Sequence, residues 1–128
     1  MKVELPLGDV VDRVTILRIK AARLEGPDAL ANVRRELDAL ESGWRDAGLP
    51  DMPGLAQWAA LQRVNTALWD VEDALRDLEA RHSFGPAFVA HARSVYRLND
   101  ERAALKRAIN VQLGSRLVEE KSYAGASD

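Results

Sequence analysis

Apolar residues recur at intervals of three and four along most of the chain. After Pro27 the run is Leu30, Val33, Leu37, Leu40 and Trp44, and further on it is Leu61, Val64, Leu68, Val71, Leu75 and Leu78. That spacing places each set on one face of a helix, and no stretch shows the period-two alternation of a half-buried strand. Glycine and proline gather between these runs: Pro6 and Gly8, Gly26 and Pro27, Gly48 to Gly54, Gly85 and Pro86, and Gly114. The pattern predicts helices over about 8–25, 27–47, 54–82 and 86–113. Pro27 and Pro86 suit first-turn positions, where a missing amide costs nothing, and Gly48 and Gly114 suit left-handed C-terminal caps. Short connections imply antiparallel neighbours, so the expected fold is all-α, an antiparallel four-helix bundle forming one domain over 1–128. Only Met1 to Leu5 and Arg116 to Tyr123 leave room for short extended termini, packed on the bundle or paired with each other.

Composition narrows the function classes. A chain of 128 residues with 47% hydrophobic residues holds enough apolar material for one core. Its 18 Lys and Arg are balanced by 20 Asp and Glu, so no basic excess exists to release counterions from a phosphate backbone, and nucleic acid is not an expected partner. The chain has no cysteine, which excludes disulfides, thiol nucleophiles and cysteine-based metal sites and fits a reducing compartment. Lys2, Glu4, Asp9, Asp12 and Arg13 interrupt any apolar region of a signal peptide, and no apolar run is long enough to span a bilayer. A cytoplasmic location without membrane insertion is expected.

Polar residues on the core stripes are the main functional clue. In the fourth helix Phe88, Val95, Leu98, Ile109 and Leu113 define the inward stripe, and Asn99, Arg102, Lys106 and Asn110 fall on the same face. In the third, a row of Trp58, Asn65, Trp69, Glu72 and Arg76 runs beside the aliphatic stripe and is placed to face them. Arg18 of the first helix and Glu41 of the second also point inward. The site expected from this pattern is Asn65, Trp69, Glu72, Asn99, Arg102, Lys106 and Asn110, converging inside the bundle. It has two readings: a buried network with Glu72 paired to Arg102 or Lys106, fixing helix register, or a cationic pocket for an anionic ligand.

Other constellations carry less. His82 and His91 flank the turn between the last two helices but lack a third ligand, so no metal site is expected. Asp38 with Glu41, and Asp70 with Asp73, have the spacing of paired magnesium-binding acids, yet Asp70, Asp73 and Asp77 lie opposite the core stripe. Phosphate-binding loops, dinucleotide fingerprints, nucleophile elbows and zinc-protease motifs do not occur, and no cofactor is expected. Ile16 and Ile19 point away from the stripe of Val10, Val14, Leu17 and Ala21, so the first helix is apolar on two sides. The second side calls either for a homodimer partner or for Leu117, Val118 and Tyr123 of the tail.

The strings LGDVVDRVTIL from Leu7, VNTALWDVEDALR from Val64, ARSVYRLNDERAALKRAIN from Ala92 and GSRLVEEKSY from Gly114 resemble a family of small bacterial proteins known only as a domain of unknown function. The resemblance spans nearly the whole chain and implies no activity. It does imply a setting, surface-polysaccharide and sugar-nucleotide metabolism, and it sets Arg18 apart, since similar sequences often carry an acid there. A fainter resemblance to helical chorismate mutases lacks their spacing of arginines and lysine along the first long helix. The expectation is a non-catalytic bundle that binds a partner protein or an anionic metabolite. The rival is a small enzyme acting on an anionic substrate, for which Glu72 is the one well-placed acid or base.

Overall fold

The computed structural model describes residues 5–114, and all the prolines and glycines singled out above fall within them. Pro27 opens helix α2 (Pro27–Asp46) and Pro86 opens α4 (Pro86–Gln112), each at the first helical position. Gly48 and Gly114 take positive φ, 72° and 65°, just beyond the ends of α2 and α4, where a side chain would be strained. Helix α1 (Leu7–Arg23) stops two residues short of the expected end, because Leu24 turns extended while its amide still reaches the Lys20 carbonyl. The termini expected to be extended lie outside the described residues, apart from Leu5.

The start of α3 (Trp58–Ala80) differs more from expectation. It is expected at Gly54, but Gly54 instead ends a 3-10 turn, Met52–Gly54, and is followed by an extended Leu55. Pro50 and Pro53 remove two amide donors here, and Met52 and Leu55 are buried in the core, so packing decides the path. Trp44 fastens the segment from α2, its indole Nε1 donating to the Pro50 carbonyl at 2.6 Å. At the other end of α3, His82 adopts a left-handed φ of 54° and closes the helix without a glycine.

Among the described residues the elements are four α-helices and this one turn, with no strand, and the chain is a helical bundle. Helix α1 is its centre, touching α2, α3 and α4. Val11 and Val14 of α1, Trp44 of α2, Trp58 and Leu61 of α3 and Ile109 of α4 form the core with Met52 and Leu55. Arg13 of α1 grips Glu36 of α2 through two nitrogens, at 2.8 and 3.0 Å, and this hydrogen bonding holds the Glu36 carboxyl below its ordinary pKa. Both side chains are nearly half exposed, so the pair adds little stability.

Helix α1 runs alongside α3 in the same direction, with Asn65 near its start and Asp70 near its end, and α4 runs back between them. Arg23, the last residue of α1, pairs with Asp70. Past that level α3 and α4 continue as a two-helix arm, and no residue of α3 beyond Leu68, or of α4 before Ile109, is fully buried. The arm is tipped by an edge-to-face contact of Phe84 with Phe88, centroids 5.3 Å apart.

Candidate functional site

The antiparallel seam between α1 and α4 is a polar ladder. The first rung is at the start of α1, where Pro6 stands as N-cap and offers no side-chain oxygen for the unpaired amides of the first turn. Asn110, wholly buried on α4, supplies it from another helix: its Oδ1 accepts from the Gly8 amide at 2.6 Å. One turn along, the Lys106 ammonium meets Asp9 Oδ1 at 3.0 Å. The next rung joins Arg102 to Asp12, with Nε donating to Oδ1 at 2.9 Å and Nη2 to Oδ2 at 2.5 Å.

Asp12 is the hub of this ladder. It is 4% exposed, and besides the guanidinium fork its Oδ1 accepts from Asn65 Nδ2 of α3 at 2.8 Å. The same amide nitrogen donates to Thr15 Oγ1 at 2.8 Å, and that hydroxyl donates to the Asp12 carbonyl at 2.7 Å. Three helices are thereby tied at one level, with the carboxylate met by a charge and an amide, as a buried ion requires. Three buried side-chain atoms, Asp9 Oδ1, Gln57 Oε1 and Asn110 Nδ2, have no hydrogen-bond partner among the described residues, and of these Asp9 Oδ1 has the Lys106 ammonium as its ion-pair partner.

Beside the hub, away from the start of α1, a cleft of about 240 Å³ opens between α1, α3 and α4. Ile16, Ile19, Leu68 and Trp69 form its apolar walls, and Lys20, Asn65, Glu72, Asn99 and Arg102 bring polar groups to it. Ile16 and Ile19, the second apolar face of α1, line this cleft, Ile19 buried and Ile16 half-buried, while the tail residues offered as their cover lie outside the described residues.

Five of the seven residues expected to converge, Asn65, Trp69, Glu72, Asn99 and Arg102, therefore share one cleft. Lys106 and Asn110 do not; they belong to the ladder rungs nearer the start of α1. The expected partner of Arg102 is corrected: it is Asp12, while Glu72 is exposed on the cleft rim. The expected level of Asn65 beside Lys106 shifts by one turn, to Asp12 and Arg102, whereas Glu72 and Asn99 line the same cleft. The remaining members of the α3 row disperse. Trp58 is buried under the Arg18 guanidinium, 5.0 Å from ring centre to Cζ, and Arg76 turns outward to Asp73. Arg18 and Glu41, expected to point inward to the same centre, pair with each other at a separate cavity lined also by Trp44 and Met52. His82 stands against Phe84 at the tip of the arm, and among the described residues no three metal-binding side chains gather.

These helix-to-helix contacts engage the strings quoted from Leu7, Val64 and Ala92, so the resemblance they carry falls on one connected arrangement. The chain belongs to the family of unknown function DUF6165, whose model matches residues 1–127. Membership in this family assigns neither activity nor ligand. No curated protein and no solved structure matches the chain.

Sequence reasoning passed over Asp9, Asp12, Thr15 and Lys20. The signal for Asp12 was present: at about 100° per residue it lies within about 40° of both Ile16 and Ile19, on the second apolar face of α1. An acid on an apolar stripe asks for a buried cation, and α4 offered Arg102 and Lys106 at matching intervals.

Proposed function

We propose that this chain is a non-catalytic binding bundle whose α1–α3–α4 cleft takes one ring-sized, polar part of a small anionic metabolite. The observation that carries the reading is that Trp69, Glu72, Asn99 and Lys20 line one cleft with apolar walls. A few convergent polar groups over an apolar floor are the common form of a small-ligand site. At about 240 Å³ the cleft is below the usual range for drug-sized ligands, about 300 to 1,000 Å³, so a larger metabolite would leave the rest of itself outside. Lys20 supplies the charge for the anion, since Arg102 is already committed to Asp12. The family resemblance supports a bacterial, cytoplasmic setting in surface-polysaccharide or sugar-nucleotide metabolism.

Catalysis gains less support. An acid or base has to be held against the reacting atom, and Glu72 is exposed with no ion pair among the described residues to orient it. A second reading, docking of a partner protein, is favoured by the arm, where Phe84, Val89 and Tyr96 are at least half exposed.

A thermal-shift screen against sugar nucleotides, nucleotides, sugar phosphates and dicarboxylates tests the proposal. A native-state ligand at about 100 times its Kd stabilises by about 2.7 kcal/mol, a rise of several degrees for a chain of this size. The expected result is such a rise with at least one anion class, abolished in Lys20→Glu and weakened in Asn99→Ala, both of which keep the unliganded melting temperature. Absence of any shift across the panel, or a shift unchanged by Lys20→Glu, overturns it.

A further inference from the structure

The outer face of α4 has no partner among the helices that build the core, yet it is not a polar face. Val89, Tyr96 and Val111 are 50%, 75% and 64% exposed. On a helical projection Ala92, Arg93, Asp100, Ala103, Ala104, Arg107 and Val111 fall within about 60° of Val89, as does Tyr96, so apolar and small residues share one strip with charges of both signs. A solvated face would carry charged residues where Val89 and Tyr96 stand.

The order of residues along this strip is self-complementary. If two α4 helices lie antiparallel with Tyr96 near a twofold axis, residue numbers facing each other add to about 192 or 193. Val89 then faces Ala103 and Ala104 of the other copy, a large residue over small ones. Arg93 faces Asp100, and symmetry repeats both contacts. Asp100 already interacts within its own chain, and the two oxygens of a carboxylate have room for a second donor. The Arg97 guanidinium comes to the level of the opposing Tyr96 ring, a geometry for cation–π contact. Parallel packing would set Arg93 against Arg93 and Asp100 against Asp100, which is repulsive.

We infer that the chain associates with a second copy of itself through this face of α4, antiparallel, with Tyr96 at the axis. Two α3–α4 arms brought together in this way complete a four-helix arrangement that one arm lacks. The inference is independent of the ligand cleft, which opens toward α1 and α3.

Sedimentation equilibrium on the full chain tests it, together with single-cysteine trapping, for which the absence of native cysteine leaves a clean background. Wild-type protein is expected to be a dimer with a Kd in the micromolar range, as suits a modest interface. Arg93→Asp alone and Asp100→Arg alone are each expected to weaken it about tenfold or more, and the two together to restore it, all with unchanged helical circular dichroism. Tyr96→Cys is expected to give a disulfide-linked dimer under mild oxidation, and Ser83→Cys is not. A monomer at the highest attainable concentration overturns the inference. So does a dimer indifferent to the charge exchange, including one that vanishes only when residues 115–128 are removed.

Discussion

Asp12→Ala is expected to destabilise the protein by about 3 to 5 kcal/mol, a large share of the total stability of a domain this size. Three consequences add. The Arg102 guanidinium, whose side chain is 30% exposed, loses its counter-ion at a site where the carboxylate was 6% exposed. Asn65 Nδ2 keeps only Thr15 Oγ1 as acceptor, and α1, α3 and α4 lose their common tie. Partial solvation of Arg102 argues for the lower end of the range. Asp12→Leu with Arg102→Met removes both charges and refills the space, and is expected to cost about 1.5 kcal/mol or less. Urea denaturation of Asp12→Leu, Arg102→Met and the double variant measures this directly. A double variant as unstable as the sum of its parents would mean that Asp12 and Arg102 are not coupled, against the pairing seen in the structure.

Gly8→Ala is the second large effect, and its sign is opposite to what helix propensity suggests. Glycine inside a helix is about 1 kcal/mol worse than alanine, so the exchange would ordinarily stabilise α1. Here a Cβ on residue 8 would sit 2.3 Å from the Lys106 carbonyl oxygen and 2.9 Å from Asn110 Oδ1. The first of these is backbone and cannot swing aside, so α1 and α4 must separate. Overpacking costs about 1 to 3 kcal/mol, and separation also stretches the Gly8 to Asn110 bond that caps α1, worth about 1 to 3 kcal/mol when a buried donor is left alone. The net expectation is a loss of about 2 to 4 kcal/mol by chemical denaturation. An alanine variant as stable as the wild type would show that the two helices are not in this close contact.

Helix existence and order were legible because four runs with period 3.6 and their proline and glycine boundaries agree. The start of α3 was not, since a run such as Leu55, Trp58 and Leu61 keeps helical spacing even though the first of them is extended and held by core burial. The α4 half of the polar ladder was legible for the same reason as the helices: Arg102, Lys106 and Asn110 sit where leucines belong. Its α1 half was missed because Asp9 looks like an ordinary first-turn acid, favourable to the helix dipole, and Asp12 like one more polar residue of an amphipathic helix, until α4 is packed against them. Glu72 drew attention as the acid of the α3 row, but angle alone does not distinguish the edge of a stripe from its centre. In the structure it is on the edge.

The proposed division of labour is that the ladder from Gly8 to Asp12 holds α1 on α4 while the adjoining cleft binds the anion. Calorimetric titration of the anion selected by thermal shift into three proteins tests it most directly: wild type, Lys20→Glu, and Asp12→Leu with Arg102→Met. The predicted result is binding to the wild type and to the double variant within about tenfold of each other, or about 1.4 kcal/mol, with none to Lys20→Glu. A folded double variant that no longer binds, beside a Lys20→Glu protein that still does, would contradict it and make the Asp12–Arg102 pair the binding site itself.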